Sequence, residues 1–463
     1  AIMAAQNAEI DNVSGATVTT NAVKKAAASC IEQAMGVASE EPAADTAGDT
    51  GDDWLGEEPD VQASETQDFD VVIIGAGLSG VCAARAAAEE GAKVAIVEKS
   101  SSFNCRSGEY ALLNGSLNKR WGRENIVDED VVVDRLMREC TYRNKRSILK
   151  KWASHAHEVM DWFIEAYPEL TICDSTREAV TQEQFDKGIL VPLAWPQPEH
   201  YDYRNEEFPT FPSSMEFRSS RKDQQGFIVE ANLNKAVENG AQTFFGCFGT
   251  KLLKDSDGRV TGVIIRDAQN DNKYIQLNAS KGVILACGGY SGNETMMNAL
   301  QPQSVEQTCV NYSKPGAKGD GIKACLWAGA IMDTTHTSMI FDRGAIKPDQ
   351  TGEYGKASDG ALFWMGSQPF LKVNLKGERF MNEYMPYDLV LHAAASQPYH
   401  TYCTVWDSKY AEDCEHFATH GCSRLYPHVN GTNPVFPMDY VQAMNADLQD
   451  QGYIKLKDGA GLT

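Results

Sequence analysis

The stretch Phe69–Gly80, FDVVIIGAGLSG, and its continuation Gly91–Glu98, GAKVAIVE, decide the fold. Phe69–Ile74 is a short apolar run rich in β-branched residues, and Gly75, Gly77 and Gly80 follow it at once in the G-x-G-x-x-G spacing. That order predicts a strand, a tight turn and a helix. Val81–Glu90 is mostly alanine and other strong helix formers, Gly91 stops it, and Lys93–Val97 is a second buried strand closing on Glu98. The whole reads as a βαβ unit of a Rossmann-like α/β domain. In such a unit Gly75 makes the turn, Gly77 lets the backbone approach a pyrophosphate, and Gly80 lets helix and strand pack closely. The phosphates sit on the helix N-terminus, and Glu98, roughly twenty residues on, accepts hydrogen bonds from the adenosine ribose. Lys99 beside it is a further candidate contact. The fingerprint alone does not choose between FAD and NAD.

Around this unit the chain runs to 463 residues, enough for two or three domains with their own cores. A formal net charge of −22, with no basic cluster, excludes a nucleic-acid-binding protein. No apolar run approaches the roughly eighteen residues that span a bilayer. The 12 cysteines are scattered, without C-x-x-C, haem-attachment or zinc spacing, so they read as small core residues and no metal site is expected. Their number fits a reducing or anaerobic setting better than an oxidising one.

Ahead of the βαβ unit, residues 1–36 form a short module. A polar loop containing Asp11, Ser14, Gly15, Ala16 and Thr17 (D-x-x-S-G-A-T) precedes a helical pattern from Asn21 to Met35. By composition this is a helix-opening loop capped by Ser and Thr. Residues 37–67 read as a linker of small residues, proline and acids, among them Glu40, Asp45, Asp53, Glu57 and Glu58, that self-repels and buries no core. A flexible tether of about thirty residues has a reach of roughly 30 Å. Trp54 and Leu55 are its bulky apolar pair and its expected docking point.

Beyond Lys99 comes a polar stretch, Ser100–Gly115, then a long helical region over Asp128–Leu170. Val191–Pro212 is aromatic, proline-rich and irregular, a surface loop whose His200, Tyr201 and Tyr203 could also face a ligand. The α/β pattern resumes with a helix over Ile228–Asn239 and strands at Thr243–Phe245, Leu252–Leu253 and Val260–Asp267, the last two joined by the hairpin turn DSDG. KGVILACGGYSG, Lys281–Gly292, is a buried strand running into a glycine pair, and Gly316–Ala330 is a glycine-rich turn opening a helix.

In this order the segments resemble the fumarate reductase/succinate dehydrogenase flavoprotein family, in its soluble branch with an FMN-binding module. The resemblance implies four parts. These are an FMN-binding module (1–36, its C-terminal part), the acidic linker (37–67), a Rossmann-like FAD-binding domain (68–333) and an α+β clamp domain (334–463). It implies covalent FMN on Thr17, attached by a flavin transferase, and FAD contacts from Ser107, Gly108, Ala286, Gly288, Gly289, Gly319, Asp320 and Gly321. Ser100–Gly115 holds no histidine, so the FAD is expected to be non-covalent. In the family a last strand and a glycine-rich helix start return to the FAD domain; no such segment is recognised before Thr463.

In the clamp, KVNLKGERFMNEYMPYD (Lys372–Asp388) resembles the family's V-N-x-x-G-x-R-F-x-N-E segment through Asn374, Gly377, Arg379, Phe380, Asn382 and Glu383. Arg379 and Glu383, four apart, read either as a structural pair or as catalytic groups. Where fumarate reductases place an acid arginine this sequence has Tyr387, and in the form R-F-x-N-E-x-x-P-Y-D that active-site tyrosine is similar to the one of the 3-ketosteroid dehydrogenases. Their relay glutamate and arginine fall on Phe363 and Gly366, and their substrate histidine near Phe341, with His336 the nearest alternative. Tyr387 reads as the proton donor or as a core tyrosine. A dianion needs arginines and histidines, so fumarate is not the expected substrate.

The expected activity is therefore reduction of an activated C=C bond, electrons passing from an external donor (membrane-associated or cytochrome-like) to FMN, FAD and a neutral enone, steroid-like or phenolic. Alternatives are a monocarboxylic enoate such as an aryl acrylate, a dehydrogenase direction, or an electron-transfer subunit without its own substrate. The expected location is extracytoplasmic or cell-surface-associated in a bacterium, with the cytoplasm as alternative.

Overall fold

The computed structural model describes residues 54–106, 108–124, 128–175, 178–193, 213–307, 316–336, 338, 344–348, 350, 361–383, 385, 392–416 and 438–456. The described chain opens with β1 (Glu65–Ile74), α1 (Leu78–Glu89) and β2 (Val94–Glu98), the βαβ unit that the glycine spacing predicts. There follow β3 (Glu109–Ala111), α2 (Ser116–Arg120), α3 (Glu129–Glu139), α4 (Arg146–Glu165), β4 (Thr171–Ile172), α5 (Gln182–Lys187), β5 (Ile189–Pro192) and β6 (Ser214–Arg218). Next come α6 (Gly226–Glu238), β7 (Gln242–Phe245), β8 (Cys247–Lys254), β9 (Val260–Asp267), β10 (Lys273–Leu285), α7 (Glu294–Leu300), α8 (Pro302–Gln307) and α9 (Asp320–Trp327). The remainder supplies β11 (Gly344–Ala345), β12 (Ala361–Leu362), β13 (Leu371–Asn374), β14 (Tyr402–Val405), α10 (Tyr410–His416) and α11 (Met438–Asp450).

The main sheet has the order β7-β2-β1-β10-β9-β8. β1 runs parallel to β2 and β10, β2 parallel to β7, and β9 and β8 add an antiparallel meander at one edge. Parallel strands covered on both faces read as unbroken apolar runs, and Val94–Val97 are fully buried accordingly. One face packs Ile73, Val94 and Ile96 against the alanines of α1 and against Ile228, Leu233 and Ala236 of α6. The other packs Val72, Ala95 and Val97 against the meander and Ala324 of α9. A second sheet, β3-β6-β5-β4, adds Met215 and Phe217 to the first core.

Buried among the alanines of α1, Arg85 has the chemistry to pin three helices. Its Nη1 donates to the Trp162 carbonyl and to Asn232 Oδ1, both at 2.8 Å, and its guanidinium lies 4.0 Å from the Trp162 ring centroid. Its Nε pairs with Glu89 at 2.7 Å, so three of the guanidinium's donors are met inside the protein, as a buried charge requires of its polar groups.

Two expectations change. The helical region expected over 128–170 is two helices, because Thr141 and Tyr142 take positive φ (52° and 59°) after Cys140 and reverse the chain. Arg146 and Lys150 then reach back to Asp130 and Asp134, and Leu113, Val132, Val133 and Ala153 bury the joint. The segment read as a free linker to residue 67 is held to the sheet from its last third. Gly56 O accepts from Trp327 Nε1 at 3.0 Å, Glu58 pairs with Lys251 at 3.1 Å, and β1 already pairs with β10 at Glu65. Trp54 and Leu55 are half-buried at its start.

Candidate functional site

The C-terminal ends of β1, β2 and β10 converge, which is where an open α/β sheet binds its ligand. Gly75 N donates to Val97 O and Ala286 N to Ile74 O, both at 2.7 Å, so the first glycine and the end of β10 lie side by side. Gly75 has φ +105°, and a Cβ there would lie 2.3 Å from Ala286 O. A Cβ on Gly80 would lie 1.8 Å from Gly75 O, so the third glycine is fixed by helix–strand contact. Gly77 differs: its Cβ would meet only Asn104 O, at an ordinary 3.6 Å. Nothing in the protein requires glycine there, and Gly77 caps α1 without any side chain bonded to the helix's opening amides. Open amides behind a glycine with room in front of it fit a pyrophosphate.

Glu98 is buried, and its two carboxylate oxygens accept from Ala76 N (2.9 Å) and Ser100 N (2.8 Å). The acid thus shapes the glycine turn, with remaining lone pairs for a ribose. Asn104 N donates to Ala76 O at 3.0 Å from the opposite side, a contact no local pattern in the sequence signals.

The later glycine segments close on each other. Gly319 N donates to Gly289 O at 3.1 Å and Gly292 N to Ala317 O at 2.8 Å. Gly319, at φ +78°, opens α9 in the left-handed region, and a Cβ on Gly321 would lie 2.3 Å from Cys287 Sγ. Gly288 (φ +73°) and Gly289 have open space where a Cβ would stand. Lys99 ties the two halves together: its ammonium bonds Gly316 O and pairs with Asp320 at 3.3 Å. Gly75, Gly77, Gly80, Glu98, Lys99, Ala286, Gly288, Gly289, Gly319, Asp320 and Gly321 thus fall in one neighbourhood. An apolar cavity of about 230 Å³ beside it is lined by Leu285, Cys287, Gly288, Ile322 and Cys325 among others. Gly108 stands apart in its cause, since Phe217 O would lie 2.4 Å from its Cβ and Gly108 O accepts from Phe217 N at 2.8 Å.

In the clamp, β13 and β14 pair antiparallel. Asn374 Oδ1 accepts from Lys376 N (2.9 Å) and Glu378 N (3.1 Å), and Gly377 takes φ +80°, so Asn374 and Gly377 build the turn after β13. Arg379 Nε donates to both Glu383 oxygens at 3.0 and 3.1 Å, while Glu383 also accepts from Lys372 N at 3.2 Å. Burial works to raise the Glu383 carboxyl, but the guanidinium and backbone amides hold it below the usual carboxylate range. Arg379, 60% exposed, and Glu383, 8%, are thereby bound to each other and to the strand, which fits the structural reading of the pair. Phe363 lies 5.7 Å from the Trp406 ring in an apolar cluster with Met365 and Phe370.

His336 joins a network the sequence did not signal: its Nδ1 lies 3.2 Å from Tyr290 Oη, and Gln301 Nε2 donates to the same oxygen at 2.7 Å. The local hint was the position of Tyr290 directly after the glycine pair Gly288–Gly289. Thr17, Ser107, His200, Tyr201, Tyr203, Phe341 and Tyr387 lie outside the described residues. Among the described residues there is no cluster of metal-ligating side chains, and no helix is long and apolar enough to cross a membrane. The buried Cys173, Cys247 and Cys414 are free thiols of the core, and desolvation raises the Cys82 and Cys247 thiols to about 11.

Residues 70–400 match the family model described as FAD binding domain, and residues 1–32 match the FMN-binding domain. The chain is 23% identical to the fumarate reductase (cytochrome) of Shewanella frigidimarina, over 74% of this chain and 53% of the relative. It is 24% identical to the vinyl phenol reductase of Lactiplantibacillus plantarum, over 69% of this chain and 57% of the relative. It spans about half the length of these curated relatives. Among solved structures, a 3-ketosteroid-Δ4-(5α)-dehydrogenase from Rhodococcus jostii RHA1, in complex with 4-androstene-3,17-dione, shares the fold. The TM-score is 0.55 at 17% identity, covering 76% of this chain and 68% of that one.

Proposed function

The chain belongs to the FAD-binding domain family, and from that premise we propose that it is a flavin-dependent oxidoreductase that reduces the activated C=C bond of a neutral, enone-like substrate. The observation that carries the neutral-substrate reading is the Phe363–Trp406 cluster, apolar where the fumarate reductase pattern places a charged relay. Removing a dianion from water against phenylalanine, without arginine partners, is strongly unfavourable. The vinyl phenol reductase among the relatives supports a phenolic member of this class.

FAD, when bound, supplies the hydride acceptor and donor at the end of the sheet. The residues here would hold it as follows: Gly75, Gly77 and the start of α1 at the pyrophosphate, Glu98 at the ribose, Gly288–Gly289 and Gly319–Gly321 along the remainder. Tyr387 donates the proton to the α carbon, and clamp closure excludes water. Electrons reach this site from an external donor through FMN carried on Thr17, where a flavin transferase attaches it; the match of residues 1–32 to the FMN-binding domain supports that module. An extracytoplasmic or cell-surface setting accompanies this reading.

The test is stopped-flow reoxidation of the reduced protein by a panel of neutral enones, vinyl phenols, aryl acrylates and fumarate. Fast reoxidation by neutral members is expected. Reoxidation by fumarate alone overturns the substrate class, and reoxidation by none of them returns the chain to an electron-transfer subunit.

A further inference from the structure

We propose that Tyr290 positions His336 as a neutral hydrogen-bond donor to the activating carbonyl of the substrate, an inference that rests on the C=C reductase reading above. Tyr290 follows Gly288–Gly289 directly, and its Cβ lies 2.9 Å from where a Cβ on Gly319 would stand, so its backbone belongs to the loops assigned to FAD. His336 stands where the FAD domain gives way to the clamp. The tyrosine and histidine rings meet edge to face, centroids 6.3 Å apart at 74°, with Oη and Nδ1 separated by 3.2 Å.

One direction of the hydrogen bonds satisfies every donor in the chain. Gln301 is buried, and its Oε1 accepts from Ser338 Oγ at 2.6 Å and from Ser304 Oγ at 3.3 Å. Its amide nitrogen faces Tyr290 and donates to the phenol oxygen at 2.7 Å. With that oxygen accepting from Gln301, we place its single proton in the bond to His336 Nδ1, 3.2 Å away. A ring that accepts at Nδ1 is neutral and carries its proton on Nε2. Burial raises the Tyr290 phenol, so it keeps the proton this polarity requires. The chain Ser338 to Gln301 to Tyr290 to His336 thus ends in an Nε2–H. A fixed neutral donor stabilises a carbonyl oxygen most as charge builds on it during hydride arrival, so its effect falls on kcat more than on KM. Tyr290 acts through His336 and is a positioning residue.

The experiment uses the FAD-loaded full chain with isotope-labelled histidine, His336 resonances being identified by their loss in His336→Gln. NMR of the wild type is expected to show Nδ1 unprotonated and Nε2 protonated. Tyr290→Phe, with FAD retained, should mix the tautomers and lower kcat for the best alkene about ten- to a hundredfold with little change in KM. Gln301→Glu should reverse the polarity, because a carboxylate accepts the phenol proton and leaves His336 to donate from Nδ1. An Nδ1–H ring in the wild type, or Tyr290→Phe with unchanged tautomer and kcat, overturns the inference. If no alkene reoxidises the wild type, the reductase reading and the substrate role fall together, while the NMR still decides the polarity of the chain.

Discussion

The carbonyl oxygen of Ala286 lies 2.3 Å from the position a Cβ on Gly75 would occupy, and the two residues stand 211 positions apart in one sheet end. Gly77, two residues on, meets only Asn104 O at 3.6 Å. The two glycines should therefore fail differently. Gly75→Ala combines backbone overlap with a positive φ and should destabilise even the apoprotein, by about 3 kcal/mol. Gly77→Ala should unfold with the wild-type urea midpoint as apoprotein yet bind FAD far more weakly, because the added methyl occupies the approach of the pyrophosphate. Equal FAD affinity in Gly77→Ala, measured by fluorescence titration, would show that the pyrophosphate does not pass this turn.

Glu98 is a neighbouring case in which structure and binding share one group. Its two oxygens accept from the amides of Ala76 and Ser100, and glutamine at this position keeps one acceptor while setting an N–H against an N–H. Glu98→Gln should cost about 1–3 kcal/mol of apoprotein stability in addition to weakening FAD. A variant with wild-type thermal stability and lost FAD would confine Glu98 to the ribose.

Much of this site was legible because the signals are local. Strand, G-x-G-x-x-G, alanine-rich helix and terminal acid occupy thirty consecutive residues, and their order specifies the βαβ geometry without knowledge of the rest of the chain. What could not be read depends on partners far along the chain. Gly321 needs to lack a Cβ because Cys287 Sγ is there, Arg85 is buried because Asn232 and Trp162 accept from it, and His336 acquires direction from Tyr290 and Gln301. The break between α3 and α4 was missed because helical apolar spacing holds on either side of it, while the polar run Arg143–Ser147 at the joint carries no glycine or proline to mark the turn that Thr141 and Tyr142 make. In the linker, an acidic composition signalled solvation, but Trp327 and Lys251 supply the contacts that hold its end.

The Arg379–Glu383 pair gives a pH-dependent prediction. Glu383's carboxyl is held below its unfolded value, so its contribution to clamp stability is complete above the ordinary carboxylate range and is lost as pH falls through the lower folded value. Thermal melts of the wild type should show that acid loss, and Glu383→Gln should start less stable at neutral pH with a flatter dependence below it. Under the structural reading Arg379→Met retains kcat once FAD-loaded; loss of turnover in a stably folded Arg379→Met would make it a catalytic residue instead.

The proposed attachment of FMN to Thr17 in D-x-x-S-G-A-T predicts a redox stoichiometry of two flavins per chain. Co-expressed with a flavin transferase, the wild type should gain the mass of one FMN, and Thr17→Ala should lose that adduct while keeping FAD. Reduction of FAD by the external donor should then slow sharply, whereas reduction by dithionite, which needs no relay, should not change. An FMN adduct persisting in Thr17→Ala would move the attachment to another hydroxyl.

Tyr387 carries the sharpest catalytic prediction. Alkene reduction requires a proton at the α carbon as hydride arrives at the β carbon, and a tyrosine of ordinary pKa near 10 remains protonated throughout the neutral range. Tyr387→Phe removes only the hydroxyl and should slow substrate-driven reoxidation by about 10²- to 10⁴-fold, while the FAD spectrum and affinity stay as in the wild type. The wild-type rate should fall in the alkaline range, as pH approaches about 10 and the phenol loses its proton, and the residual rate of the variant should lack that limb. A solvent deuterium isotope effect present in the wild type and absent in Tyr387→Phe would place proton transfer at this residue. Retention of full turnover in the variant would instead assign Tyr387 to the core and leave the α-carbon proton to another donor.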